Sequence, residues 1–173
     1  AYAFSTENWK RSEEEVGNMM KLFHSVLKNE AGKMFEERVR VRFVGDLTRF
    51  SDELQELMAA TEKKTEREYD ITLHLLVSYG GRAEIVAAAN ALLSEGVSAV
   101  TVESFAQKLW SYPMPDPDLV IRTGARERLS NFLPWQSVYS ELFFVDTFWP
   151  AFTKEEFDAI LTEFAGRERR RGK

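Results

Sequence analysis

The segment Ile71 to Val77 is nearly continuous in its apolar character after Thr72, and Tyr79-Gly80-Gly81-Arg82 leads from it into an Ala- and Leu-rich stretch over 82–94. This junction limits the fold more than any other feature. A run apolar on both faces suits a central parallel strand covered on both sides. Parallel neighbours cannot be joined by a tight hairpin, so helices must carry the chain back across the sheet.

The rest of the sequence supplies that alternation. Ala1 to Phe4 reads as a short apolar strand. Ser12 with Glu15 forms a capping-box pattern, and Val16, Met19, Met20, Phe23, Val26 and Leu27 recur at helical spacing, which predicts a helix over about 12–37. Val39, Val41 and Phe43 alternate with Arg40 and Arg42, and Val44-Gly45-Asp46 closes that strand. Ser51 starts a helix with Leu54, Leu57 and Met58 on one face. Gly96 lies just past the helix over 82–94, and Thr101 to Trp110 predicts a shorter one. Strands follow at Leu119-Val120-Ile121 and Phe143-Phe144-Val145, then a helix capped by Thr153 and Glu156 and running to about 168. The fold class is α/β, a mostly parallel central sheet flanked by helices, in one domain over 1–173. The segment Pro113 to Pro117 reads as a connection within it.

Composition narrows the function. With 173 residues the chain can bury a core without metal or disulfide. It has no cysteine, which removes thiolate metal sites and a cysteine nucleophile. The net charge of −5 disfavours a nucleic-acid binder but allows a local basic pocket. No apolar run reaches the length of a membrane span, and no signal-peptide pattern is visible in these residues. His24 and His74 are far apart in sequence and read as structural, which makes a zinc site a poor expectation. The first residue is Ala, and the strand-like start predicts that residues precede it.

In parallel α/β sheets a ligand sits beyond the carboxyl ends of the strands. Three segments fall there: Ser5 to Arg11, Ser78 to Arg82, and Arg122 to Asn131, with Glu141 near the last strand. Arg122, Arg128 and Ser130 suit a diphosphate, because guanidinium forks bind phosphate oxygens and a hydroxyl adds a donor. Gly124 lets backbone approach an anion. The alternative is a solvated Arg/Glu loop. Asn8 fits either catalysis or the satisfaction of local backbone groups, and Trp9 fits packing. Neither GxxxxGK[ST] nor GxGxxG occurs, and no DDxxD cluster gathers magnesium ions; Asp116 and Asp118 form only a DPD pair.

These segments, in this order, closely resemble the cis-prenyltransferase family, of the undecaprenyl diphosphate synthase type. The matching stretches are Tyr2 to Arg11, Tyr79 to Arg82, Asp118 to Gly124, Arg128 to Gln136, Tyr139 to Leu142, and the tail Arg167 to Gly172. The resemblance implies that the chain adds isopentenyl diphosphate to an allylic diphosphate such as farnesyl diphosphate, creating cis double bonds with Mg2+. It implies that Arg122, Arg128, Leu129 and Ser130 belong to the isopentenyl diphosphate site. Glu141 would position the metal, and Asn8, aided by Ser5, would assist proton removal. Thr6, Glu7, Trp9 and Arg11 would form a substrate-side loop able to close over the site. Arg170 and Gly172, in the family's RxG tail, would reach the diphosphate of the partner subunit in a homodimer. A cytoplasmic location peripheral to the membrane follows from the same resemblance. Met19, Met20 and Phe23 are candidates for lining an apolar tunnel, with core packing as the alternative.

Three departures bear on these expectations. The family's Asp-Gly-Asn-x-Arg-Trp motif does not occur in the 173 residues, so the chain by itself is expected to be inactive. The usual Gly-Gly-Glu after Arg-Thr is Gly124-Ala125-Arg126. Leu76 and Val77 stand where small residues are common, which predicts a narrowed tunnel and a shorter product. The alternatives are a non-catalytic subunit of a heteromeric prenyltransferase and a generic phosphate-binding α/β module. Retention of Asn8, Arg122, Arg128, Ser130 and Glu141 together argues against the former. The paired AFSTENW and SNFLPWQ blocks argue against the latter.

Overall fold

The structure is a computed structural model and describes residues 1–168. The chain divides into two compact units, Ala1–Met114 and Pro115–Lys173.

In the first unit, strands β1 (Tyr2–Ser5), β2 (Val39–Val44) and β3 (Ile71–Tyr79) form a parallel sheet in the order β1-β3-β2. The apolar run is therefore the central strand, and Leu76, Val77, Ser78 and Tyr79 are buried. Helices α1 (Glu13–Glu36) and α2 (Asp52–Thr65) make the two crossovers. Both begin where capping predicts: Ser12 and Ser51 accept the backbone N–H groups of Glu15 and Leu54. The core joins Phe4, Leu27, Val41, Phe43, Phe50, Leu54, Met58 and Val77, with Met19, Met20 and Phe23 packed against it. Truncating a side chain as enclosed as Met58 costs about 2–5 kcal/mol. At the outer edge of β2, the N–H groups of Val41 and Phe43 donate to Thr65 Oγ1 (3.0 Å) and Glu62 Oε1 (2.7 Å) of α2. Side chains thus satisfy donors that would otherwise be free to pair with another strand.

Helix α3 (Gly81–Ser94) leaves β3 through the Gly80 turn. The next helix, α4 (Val102–Ala106), is shorter than the periodicity of 101–110 predicts. Beyond it the N–H groups of Lys108, Leu109 and Tyr112 bond back three residues, in tight turns. The buried Glu84 carboxylate takes the Ser111 N–H at 2.8 Å and the Tyr79 hydroxyl at 2.6 Å, so a tertiary contact replaces the helical ladder there.

In the second unit, β4 (Leu119–Arg122) and β5 (Glu141–Phe144) pair parallel to each other, and α5 (Lys154–Gly166) follows with Thr153 and Glu156 closing its capping box. Every strand pair is parallel, as expected, although the strands ladder as separate sheets of three and two.

Candidate active site

Because β1, β2 and β3 run parallel, their carboxyl ends share one edge of the first unit. β1 ends at Ser5 and passes directly into the 3-10 turn Thr6–Lys10. The Ser5 N–H donates to Asn8 Oδ1 at 2.8 Å, so Asn8 closes the turn on which it sits. The free end of the Asn8 side chain is then its NH2 group, a donor. Thr6 Oγ1 donates to Glu7 Oε2 at 3.2 Å, and the Arg11 N–H bonds the Asn8 carbonyl at 3.1 Å.

Trp9 anchors this segment. Its Nε1–H donates to Ser78 Oγ at 2.9 Å, and its ring meets Phe4 edge-on at 4.9 Å between centroids. The Arg49 guanidinium lies over the indole at 4.8 Å, a cation–π contact. Ser78 is buried with φ +47, and its carbonyl accepts the Asp46 N–H at 3.2 Å. A Cβ on Gly45 would stand 1.9 Å from the Val77 carbonyl oxygen. Glycine is required there because two backbones approach that closely.

In the second unit, Arg122 closes β4. Its Nη1 donates to Ser130 Oγ at 2.6 Å and to the Arg128 carbonyl, while Arg128 Nε donates to the same Ser130 Oγ at 3.2 Å. Gly124 (φ +89) and Ala125 (φ +54) turn the loop, tied by their N–H groups to the Thr147 (2.9 Å) and Val145 (3.1 Å) carbonyls. Leu129 is half-buried and accepts the Phe132 N–H at 3.1 Å. No described carboxylate forms a salt bridge with Arg122, Arg126 or Arg128. Partial burial, then the charges of Arg128 and Arg126, lower the pKa of the Arg122 guanidinium from its ordinary value. The loop holds like charges together at an electrostatic cost that an anion would offset.

Glu141 does not join that group. It opens β5 opposite Leu119, whereas Arg122 stands opposite Phe144. Three residues of strand, roughly 10 Å, separate the two positions. Glu141 Oε2 instead accepts Arg167 Nη1 at 2.8 Å. Sequence reasoning did not single out Arg167, although its i,i+4 spacing from Glu163 was a signal. Arg49, far from Trp9 in sequence, gave none. Arg170 and Gly172 lie outside the described residues. His24 pairs with Glu53 at 3.0 Å, and His74 lies within β3. Neither belongs to the candidate site. Leu76 and Val77 are buried, and Val77 is part of the core.

The family model described as "Putative undecaprenyl diphosphate synthase" matches residues 1–172. The chain belongs to this family. It is a prenyltransferase of isoprenoid biosynthesis. An isoprenyl transferase of Fusobacterium nucleatum is 43% identical over 171 residues, covering 99% of this chain and 74% of that protein. The ditrans,polycis-undecaprenyl-diphosphate synthase ((2E,6E)-farnesyl-diphosphate specific) of Pectobacterium atrosepticum is 41% identical over 177 residues, covering 99% and 70%. Among solved structures, a probable undecaprenyl diphosphate synthase from Campylobacter jejuni superposes with a TM-score of 0.91 at 39% identity, covering 99% of this chain and 81% of that one. Lavandulyl diphosphate synthase from Lavandula x intermedia, in complex with dimethylallyl diphosphate, gives a TM-score of 0.92 at 27% identity, covering 99% and 77%.

Synthases of this family generally use a metal ion. Among the described residues no group of three His, Asp or Glu side chains could hold one. Glu141 is a single carboxylate, paired with Arg167. Magnesium is commonly held by one or two carboxylates, with phosphate oxygens and water completing the octahedron. Glu141 uses only Oε2 toward Arg167. No helix among the described residues is long and apolar enough to cross a membrane.

Proposed function

We propose that the chain is part of an enzyme of cis-prenyl elongation, which joins isopentenyl diphosphate to an allylic diphosphate to give a polyprenyl diphosphate. The observation that carries this reading is the cradle of Arg122, Arg128 and Ser130, which lacks a carboxylate partner among the described residues. Ser130 Oγ accepts from two guanidinium groups, so its own proton is free to donate. The cradle thus presents two cations and one hydroxyl donor to the diphosphate of the isopentenyl substrate, with Leu129 beside them. Bidentate guanidinium contacts suit a phosphate in this role.

In the reaction, the isopentenyl double bond attacks the allylic carbon, diphosphate leaves with its electron pair, and a proton is lost as the new double bond forms. Asn8, its carbonyl held by Ser5, offers its NH2 to orient a phosphate oxygen or water near that proton. The substrate-side loop is Thr6, Glu7, Trp9 and Arg11; the Trp9–Ser78 bond sets its base and supports loop closure to exclude water from a cationic intermediate. Glu141 is the residue proposed to help hold Mg2+, which would supply charge neutralisation for a diphosphate.

Farnesyl diphosphate is the proposed starter, by analogy with the Pectobacterium relative's name; dimethylallyl diphosphate is the competitor that the lavender complex suggests. A homodimer in which Arg170 and Gly172 serve the partner's site, peripheral to the membrane in the cytoplasm, belongs to the same proposal. One family match spans both units, which supports reading 1–173 as a single domain.

The test is incubation of the protein with isopentenyl diphosphate and each allylic diphosphate, with and without Mg2+, followed by sizing of the prenyl product. A Mg2+-dependent cis product is expected from protein that also carries the Asp-Gly-Asn-x-Arg-Trp segment, and none from residues 1–173 alone. Isopentenyl diphosphate binding without turnover in the protein that carries that segment would instead favour a non-catalytic subunit.

A further inference from the structure

We propose that Thr147 is a positioning residue for the diphosphate cradle: its hydroxyl, held by Glu156, fixes the carbonyl from which the Gly124 turn hangs. The proposal rests on the reading of Arg122, Arg128 and Ser130 as a diphosphate site.

The cradle needs such a hold. Arg122, Arg126 and Arg128 carry like charges on one loop, and these repel while no anion is bound. Ala125 also sits at φ +54, a backbone region that a side-chain-bearing residue keeps only where contacts impose it. Those contacts come from the segment after β5. The ladder itself ends at the Arg122–Phe144 pair. Beyond it the Val145 N–H donates to the Arg122 carbonyl at 2.9 Å, the Ala125 N–H to the Val145 carbonyl at 3.1 Å, and the Gly124 N–H to the Thr147 carbonyl at 2.9 Å.

Residues 145–147 lie outside the strand, so Thr147 needs an anchor of its own. Its Oγ1 donates to Glu156 Oε1 at 2.5 Å. Glu156 Oε2 accepts the Thr153 N–H at 3.0 Å, and the Glu156 N–H donates to Thr153 Oγ1 at 3.3 Å, closing the capping box of α5. Capping occupies Oε2 alone, so the bond from Thr147 to Oε1 goes beyond what the helix requires. The Thr147 hydroxyl, then the Thr153 N–H, lower the Glu156 pKa from its ordinary value. The acceptor is thus ionised at neutral pH, and an ionised acceptor strengthens the bond. The Phe148 ring completes the hold, 3.5 Å from where a Cβ on Gly124 would stand.

The experiment titrates inorganic diphosphate into the protein and its variants by calorimetry, with thermal unfolding on the same samples. A residue that touches no ligand but shares a bonded network with its site shifts affinity by roughly two- to thirtyfold. Thr147→Val removes the hydroxyl and leaves the carbonyl in place; it is expected to weaken diphosphate binding by about fivefold. Thr147→Ser returns the hydroxyl and is expected to bind within about twofold of the wild type. Glu156→Gln reaches the same bond from α5 and is expected to give a severalfold loss, which keeps the proposal testable if Thr147→Val fails to fold. Wild-type affinity in Thr147→Val or, where that variant does not fold, in Glu156→Gln overturns the proposal even if the unfolding temperature falls, because the bond then serves α5 alone. Failure of Thr147→Ser to recover affinity overturns it too. Arg122→Ala separates the two readings. If it weakens binding while Thr147→Val does not, the cradle stands without this positioning residue; if it also leaves binding unchanged, the cradle reading falls as well.

Discussion

Arg122 donates to Ser130 Oγ at 2.6 Å across a loop of seven intervening residues, and Arg128 donates to the same oxygen. One hydroxyl therefore spaces two guanidinium groups while its own proton stays available to donate. Ser130 itself has φ +50, an uncommon backbone region for a side-chain-bearing residue. Strain of this kind persists only where surrounding contacts impose it.

Ser130→Ala removes both the shared acceptor and the outward donor. A hydrogen bond to a charged group contributes about 1.5–3 kcal/mol. The KM for isopentenyl diphosphate should rise roughly ten- to hundredfold, with a smaller change in kcat. An unchanged KM would remove Ser130 from the site.

Arg126 adds a cation where the family resemblance leads one to expect a carboxylate. It is exposed, so its influence is screened by salt. Arg126→Glu should weaken isopentenyl diphosphate binding by only about two- to tenfold at low salt, and the difference should shrink toward 1 M salt. A salt-independent effect would indicate a direct contact instead of a field.

His74 gives the fold a defined acid sensitivity. Burial, then the charges of Arg40 and Arg42, lower its pKa from the ordinary 6.5. Thr72 and Leu76 share its face of β3. An unfolded chain then binds the proton more readily than the folded one. The neutral His74 contribution is fully present above about pH 6.5 and is lost as pH falls through the folded pKa. Urea unfolding of the wild type and His74→Gln, between about pH 7.5 and pH 5, should show a smaller stability loss in the variant. Equal losses would assign the acid sensitivity to other groups.

Gly45→Ala tests the packing between β2 and β3 beneath Ser78 in the first unit. Gly45 has φ +143, and the added methyl would collide with the Val77 carbonyl. Roughly 3 kcal/mol or more of stability should be lost. Circular dichroism melts showing no shift would mean that β2 and β3 part easily there.

The elements that sequence made legible are those whose signals are local. Capping at Ser12, Ser51 and Thr153 and the apolar run at β3 each act within a few residues, and each predicts the structure well. The Arg122–Arg128–Ser130 cradle was also readable, because all three lie on one loop. What could not be read depended on three-dimensional partners. Glu84 reaches Ser111 and ends the regular helix early; Trp9 finds Ser78 and Arg49. Glu141 was expected near the Arg122 cluster because strand position was judged from sequence order alone. The β4–β5 register, which places it opposite Leu119, comes only from the ladder.

Asn8 offers the sharpest separation of fold from chemistry. Its Oδ1 accepts the Ser5 N–H at 2.8 Å, which leaves its NH2 group as the end proposed to meet a substrate. Asn8→Asp keeps an oxygen in the capping position, so the turn Thr6–Lys10 and the unfolding temperature should be preserved. The same change removes the donor and would place a negative charge beside the proposed anionic substrates. Removing a donor preorganised for a transition state costs about a hundredfold or more in kcat. Turnover of Asn8→Asp should fall by at least that order, with an unaltered melt. If Asn8→Asp retains turnover, Asn8 serves the turn alone, and the group that orients the departing proton must be sought elsewhere.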